Sequence, residues 1–539
     1  MLLALLAGLR RERVARLLPW ALTVVLAWSA ALAWYHASHY SYFLPPGINV
    51  RLIKAAVFIS LASLVAFYTA LLHTLNQRPY GLRSRVGLLL VSIAAVYLML
   101  ERRDAFEPRP ESAPLPTALE DVEVPHLLTI GVDGATFEAL LPLSEQGLLP
   151  FLSRPLLSGA RARLRPLTPD LPSATWSTVA TGKLPYRHQV LDREFYLAPA
   201  LGPNAYLALL PESMGFRTWG APGPRRRPTD ATHRRALTLW EILGVLGYRA
   251  GVLGWPAAVP AHAPVEFAFS ERYFRGEPTE AQATPAELIE RGLLFRQQTT
   301  EIPDELLESI GVVGAPPDAL REALADDLWR TGLTSFLLEQ SPDVHSLFLR
   351  LPGLATVSDR DYGGFDAVQF AGRTDREARA AAASVAGYYR FVDAQVSRLW
   401  DAWPAPKTLA IVSTHGYEGP PAWRRYLDPI LGSALGGRSD PDADGVFVLW
   451  AQGTSPGTLD RAELVDVMPT LLYALGLPLP RDLDGRVLTG SFTNVFLATH
   501  PLTFVPSYET VVVPESFAID PLERAVSGSS SGETIEQRP

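Results

Sequence analysis

The chain contains no cysteine among its 539 residues. That absence excludes disulfides and thiolate metal ligands and leaves the redox compartment open, so any zinc site has to be made from histidines and carboxylates. Histidine is scarce too, ten in all, with none between 416 and 499. There is no Gly-rich nucleotide loop and no basic stripe interleaved with aromatic residues, so nothing points to nucleic acid. Negative charge is nearly missing from residues 1–106, which carry 11 Lys/Arg against 3 Asp/Glu, while the remainder carries 37 against 53, a net −16. Two differently solvated parts follow, and the acidic balance of the larger one argues against a polyanion partner.

The first part holds three uncharged apolar runs, Leu17–Tyr35, Ala55–Leu72 and Val86–Leu100, each bounded by Arg, Lys or Glu. At about 1.5 Å per residue the first two nearly cross a hydrocarbon core of about 30 Å, and the third is short enough to need snorkelling flanks. None has a polar face, which disfavours the core of a soluble domain, and no small-residue cleavage site follows the first run. Residues 1–103 are therefore expected to form a membrane anchor of three transmembrane helices, about 17–35, 55–72 and 86–100. Arg10, Arg11, Arg13 and Arg16 precede the first run, and Arg78, Arg83 and Arg85 lie between the second and third. Positive loops stay cytoplasmic, so the N-terminus is expected inside and the large domain on the extracytoplasmic side. The short third helix suits packing against another membrane protein or a second copy of the chain.

Residues 104–124, rich in Pro and acid, cannot hold a helix and read as a stiff, extended linker. The stretch 521–539 lacks an apolar pattern and reads as a disordered tail. Between them, over 125–520, short apolar runs such as "HLLTIGV", "YRAGVLGW", "DVHSLFLRL", "TLAIVSTHG" and "DGVFVLW" alternate with helical patterns such as the one beginning near Arg379. This alternation predicts an α/β fold with a mostly parallel central sheet flanked by helices, in which chemistry sits at the carboxyl ends of the strands. Asp133 and His415 both fall there.

In order along the chain, "IGVDGA", "LPSATWSTVATGKLPYRH", "GVLGWPAAVP", "GLATVSD", "YYRFVDAQV", "VSTHG", "DGVFVLWAQG" and "DVMPTLLYALGLPLPRDLDGRVL" resemble the alkaline phosphatase superfamily, in its type I phosphodiesterase/nucleotide pyrophosphatase branch. The resemblance implies an alkaline-phosphatase-like domain over 125–520. It also implies two metal ions bracketing a Ser or Thr nucleophile; such a pair, roughly 4 Å apart, neutralises phosphoryl oxygens during in-line displacement. Carried over by position, Asp133 matches the first-strand carboxylate, and His415 with Gly416 matches an Asp-His-Gly turn whose Asp is here Thr414. The Asp and His of the second metal's motif fall on Ala355 and Asp359, and the expected late His is missing. Asp133 and His415 remain as the residual metal ligands. The nucleophile position falls on Pro172 by spacing, so Ser173 is the candidate with a one-residue gap and Thr175 the second choice; the other reading of Ser173 is a helix N-cap.

Other residues carry two readings each. Asp359, Asp361, Asp440 and Asp442 form either an oxygen cluster for a hard cation such as Ca²⁺ or Mg²⁺ or a solvated acidic rim. His188 and Asp393 read as structural, the one by packing and the other by hydrogen bonding. The resulting expectation is a degenerate phosphodiesterase fold acting as a binding or scaffold component without a cofactor. The alternative is a phosphoesterase with a remodelled site holding one divalent metal (Zn, Mn or Mg) on Asp133 and His415, with Ser173 as nucleophile.

Overall fold

The computed structural model describes residues 11–76, 81–100, 124–197, 206–207, 225–275, 282–298, 302–310, 318–372, 374–419 and 443–509. The chain divides into two compact units, Met1–Arg109 and Pro110–Pro539. The linker expected at 104–124 lies outside the described residues except for Val124, as do Asp440, Asp442 and everything after Glu509.

In the first unit, helices α1 (Arg11–His39) and α2 (Pro46–Leu75) form a hairpin, followed by α3 (Leu82–Leu100). Pro19–His39 and Pro46–Leu75 are long and apolar enough to cross a membrane. Their partition is the reverse of a soluble core. Small residues pack inside, Ala30, Ala33 and Ala37 on α1 and Ala56, Ser63, Ala66 and Ala70 on α2, while Val24, Trp28, Phe58, Leu61, Leu64 and Val65 face outward. Small side chains let backbones approach where no hydrophobic drive pulls helices together, and polar groups then find partners across the contact. Accordingly, Trp34 Nε1 donates to Ser60 Oγ (3.2 Å) and Trp20 Nε1 to Thr74 Oγ1 (3.3 Å). The third expected span is helical, though only the first two helices meet the length and composition of a span among the described residues.

The second unit is built on a mixed sheet. Strands β1 (His126–Val132), β2 (Ala160–Arg165), β3 (Ala250–Trp255), β4 (Phe267–Ser270), β5 (Ser346–Leu351), β6 (Lys407–Ser413) and β7 (Gly445–Trp450) lie in the order β2-β7-β6-β1-β5-β3-β4. β6, β1, β5, β3 and β4 are mutually parallel, and β7 runs antiparallel to both β6 and β2. Short strands extend both edges. The parallel strands are buried on both faces, as crossover helices require. Helices α4 (Phe137–Glu145), α5 (Pro172–Thr181), α6 (Asp318–Gln340), α7 (Gly353–Gln369) and α8 (Arg376–Ala402) pack around them. α8 is set at its start by Asp375, whose Oδ1 accepts from Ala378 N, and buries Tyr388, Tyr389, Phe391, Val392 and Val396 against the core. Asp393, on that buried face, accepts from Leu152 N (2.7 Å) and Phe151 N, which makes it the structural residue expected.

Candidate functional site

The carboxyl ends of β1, β5, β3, β4 and β6 converge as the topology requires, and the side chain at their centre is an arginine. Gly131 and Arg350 are register partners on β1 and β5. Because side chains alternate along a strand, Asp133, two residues beyond Gly131, lies on the same face as Arg350. Gly131 leaves room for the Trp176 ring, since a Cβ there would sit 2.7 Å from Trp176 Cη2, and the Arg350 guanidinium lies 5.4 Å from that ring's centre. Gly134 turns the chain after Asp133 with φ +78°, where a Cβ would strike the Tyr417 ring.

Arg350 is 0% exposed and Asp133 5%. Arg350 Nε donates to Asp133 Oδ1 at 2.9 Å, Nη2 to Asp133 Oδ2, and Nη1 lies 3.3 Å from Glu271 Oε2 and donates to Gly254 O at 3.4 Å. Burial alone would loosen the guanidinium's proton, but the facing Asp133 and Glu271 carboxylates outweigh it and raise its pKa. Glu271 also meets Arg275 at 2.7 Å and Arg193 at 3.5 Å. Burial pushes its carboxyl up, yet Arg350 first and then Arg275 and Arg193 hold it below the ordinary value. Trp176, Trp255 and Trp240 pack edge to face, with the Trp176 ring against the Arg350 guanidinium.

Beside it, His415 Nδ1 lies 3.3 Å from Asp170 Oδ2 and 3.2 Å from Thr414 Oγ1. Burial raises the Asp170 pKa, opposed by His415 and reinforced by the nearby Asp133 charge. On the other side, a cavity of about 320 Å³ is lined by Ser173, Arg193, Asp230, Ser270, Glu271, Arg272, Arg275 and Gln282, among others. Among the described residues, Ser270 Oγ and Gln282 Oε1 are buried there without hydrogen-bond partners.

Residues 127–428 match the family model for type I phosphodiesterase/nucleotide pyrophosphatase. The chain belongs to this family. Among solved structures, alkaline phosphatase PafA is similar over 69% of this chain and all of its own, at 10% identity and a TM-score of 0.46. The phosphonate monoester hydrolase SpPMH from Silicibacter pomeroyi is similar over 67% of this chain and 75% of its own, at 14% identity and a TM-score of 0.37. Murine ectonucleotide pyrophosphatase/phosphodiesterase 5 is similar over 67% and 97%, at 11% identity and a TM-score of 0.37. No curated protein sequence matches the chain.

Within this family frame, Asp133 and His415 do fall just beyond strand ends and Ser173 in the first turn of α5, but Asp133 is not free as a ligand. Both Asp133 oxygens are engaged by Arg350. Ala355 and Asp359 lie one turn apart on α7, where Tyr417 Oη donates to Asp359 Oδ1 at 2.6 Å and to Ala355 O at 3.2 Å, so a tyrosine-capped turn occupies the second-metal motif. Asp361 is mostly buried, and its pKa is raised by burial. Among the described residues no three His, Asp or Glu side chains are grouped so as to hold an ion. The residues present do not fit the two-metal set: the carboxylate that should grip a cation already holds an internal one.

Ser173 is not the N-cap. Leu171 caps α5, Pro172 is its first residue, and Ser173 stands in the first turn on the cavity wall. Thr175 is 0% exposed and donates to Pro172 O, turned into the helix rather than toward the cavity. His188 is packed as expected: its Nδ1 accepts from Val190 N, which leaves Nε2–H to donate to Thr178 Oγ1 (3.0 Å). Arg350, Glu271 and Asp170 were not legible as site residues, although an arginine near the end of an otherwise apolar buried strand was the available signal.

Proposed function

We propose that this chain is a membrane-anchored member of the family whose domain, held on the extracytoplasmic side, works by binding rather than by metal-dependent hydrolysis. The observation that carries the reading is the Arg350 guanidinium on both oxygens of Asp133. A carboxylate engaged in this way has one lone pair on each oxygen taken by the guanidinium, and the fixed positive charge beside it repels a metal ion. The cavity beside Ser173 leaves the domain a concave polar site able to receive a ligand. The anchor reading rests on the two apolar helices with outward-facing large side chains, and the orientation on the arginines flanking the first span and preceding the third.

A second reading, a phosphoesterase working with one ion, is favoured by Ser173 on the cavity wall and by Asp170 beside His415. Elemental analysis of the full-length protein in detergent, together with turnover of bis(p-nitrophenyl) phosphate in Zn²⁺, Mn²⁺ or Mg²⁺, separates the two. The binding reading expects no stoichiometric metal and no turnover that depends on Ser173. One equivalent of metal with turnover abolished in Ser173→Ala would establish the enzyme instead.

A further inference from the structure

We propose that the cavity beside Ser173 is a binding site for a neutral polyhydroxylated ligand the size of one sugar ring, held by Ser270 and Gln282. The inference rests on the reading of this unit as a binding domain and names the class of its ligand.

Two buried polar side chains locate the site. Ser270 is the last residue of β4, and Gln282 immediately precedes the short strand Ala283–Thr284, which runs antiparallel to β4 with Phe269 opposite Ala283 and Ala268 opposite Thr284. Continued by one residue, that register sets Gln282 opposite Ser270, and opposed residues share a face with Cβ atoms about 4.5–5.5 Å apart. The two side chains are 6% and 3% exposed, and both line the cavity. Among the described residues neither Ser270 Oγ nor Gln282 Oε1 has a hydrogen-bond partner. Buried polar groups are ordinarily satisfied, so two neighbouring exceptions on one cavity wall point to a ligand group that meets both.

The lining selects the chemistry of that group. The Gln282 amide oxygen needs a donor, which an ionised phosphodiester, sulfate or carboxylate does not have. The guanidinium of Arg272 needs an acceptor and repels a cation. Arg193, Arg272 and Arg275 stand against Glu194, Asp230 and Glu271, so the formal charges on the lining cancel and favour an ion of neither sign. A hydroxyl both donates and accepts, and it satisfies each of these groups. Ser173 adds a hydroxyl from the wall formed by α5. The rest of the lining is apolar, Pro228 with Pro256, Ala257 and Val259 of the turn after β3, a surface suited to the C–H face of a sugar ring. That turn is fixed in advance. Ala257 has φ +47°, a conformation an alanine keeps only where its surroundings enforce it, and its carbonyl accepts from Arg234 Nε at 3.4 Å. The cavity's volume of about 320 Å³ lies at the small end of ligand pockets, with room for a single ring.

The test uses full-length protein in a polyoxyethylene detergent, which carries no sugar, with EDTA present throughout. Saturation-transfer difference NMR follows titrations with D-glucose, D-galactose, D-mannose, N-acetyl-D-glucosamine and myo-inositol, and melting temperatures are read for the wild type, Ser270→Ala and Gln282→Leu. At least one of these polyols is expected to saturate with a dissociation constant on the order of 1 mM, and an equal concentration of inorganic phosphate is expected to leave it bound. Gln282→Leu is expected to weaken binding at least about tenfold and Ser270→Ala at least about threefold. Both variants are expected to melt within about 2 °C of the wild type or above it, because the group removed has no partner inside the protein. The proposal is overturned if no polyol saturates, if phosphate displaces the one that does, or if both variants bind as the wild type does. It is equally overturned if both variants melt well below the wild type, since the two residues would then serve packing; should Gln282→Leu not fold, Ser270→Ala decides alone. Neither metal nor turnover is read in these measurements. Failure here therefore leaves the metal-free binding reading to its own test, and Ser173-dependent turnover would sink that reading while the polyol result stood as measured.

Discussion

Among the described residues Arg234, Arg330 and Arg350 are buried arginines that grip carboxylates, and the surroundings of Arg234 and Arg350 differ most instructively. Arg234 lies bidentate on Glu241, with both nitrogen–oxygen distances 2.6 Å and neither side chain exposed. Glu241 also accepts from Thr238 N at 2.8 Å, Thr238 Oγ1 at 2.9 Å and His262 N at 2.9 Å. Burial would raise its pKa, but Arg234 and these donors outweigh that and hold it below the ordinary value. This pair is a closed joint, tying the start of the short helix Leu239–Val245 to the loop at His262. Arg350, by contrast, spreads its nitrogens over two strand ends, and one of its carboxylate partners, Glu271, lines a cavity where Ser270 Oγ and Gln282 Oε1 have no hydrogen-bond partner among the described residues. The same pair chemistry is saturated in one place and has unused capacity beside it in the other. Spare hydrogen-bonding capacity next to a cavity, rather than the buried charge itself, marks the region fitted for a ligand.

The comparison is broken most forcefully at the closed joint. Glu241→Ala leaves Arg234 buried and unpaired and is expected to cost about 3–5 kcal/mol, read as a drop in the urea midpoint by tryptophan fluorescence. Replacing both partners, Arg234→Met with Glu241→Leu, is expected to restore most of it, because no lone charge remains. A single-mutant cost under about 1 kcal/mol would show that water or rearrangement reaches Arg234, and the distinction between the two arginines would lapse. A smaller effect is expected at the support of α5, whose first turn carries Ser173. Thr178→Val removes the acceptor of His188 Nε2–H in a fully buried contact and is expected to cost about 1–3 kcal/mol by the same measurement.

Most of the scaffold was legible from the sequence because hydrophobic period and turn residues report it directly. "HLLTIGV" and "TLAIVSTHG" read as buried strands and became β1 and β6, and the helix expected near Arg379 begins at Arg376. The positions of Asp133 and His415 at the strand ends, and of Ser173 near the start of a helix, followed from the same pattern and from the ordered family blocks. Their partners did not. Arg350 is seven residues beyond Asp343 in a stretch that reads as a plain apolar strand, and only the parallel pairing of β5 with β1 brings it onto Asp133. Glu271 lies 138 residues from Asp133 in the sequence and meets it only through Arg350. Local pattern can announce an element and its end. Which charge crosses from one strand end to the next is a property of register and sheet order, and a single chain's periodicity does not carry it. The Ser173 cap reading failed for a local reason instead: Pro172 needs no amide partner at the first helical position, so the helix starts two residues earlier than that reading requires and Leu171 takes the cap.

Acid sharpens the comparison from the other side. Burial holds the His188 pKa down at about 3 in the folded chain, against 6.5 for an ordinary histidine. The unfolded chain therefore binds the extra proton first as pH falls below 6.5, so this residue's contribution is present above that pH and drains away down to about 3. The slope it adds is at most about 1.4 kcal/mol per pH unit, and His188→Asn is expected to flatten the stability profile over that window by the same amount.

The smallest effect is expected at Ser173. Among the described residues its hydroxyl makes no recorded hydrogen bond, and it lines the cavity. Ser173→Ala should therefore change unfolding free energy by no more than about 0.5 kcal/mol, whereas Thr178 one turn further along α5 carries its neighbour's only acceptor. A core hydroxyl held by its surroundings and a cavity hydroxyl left to a ligand differ in this way: removing the first damages the fold, and removing the second leaves it intact. A large stability loss in Ser173→Ala would make Ser173 a packing residue like Thr178, and the cavity wall would lose its claim to a hydroxyl kept for a ligand.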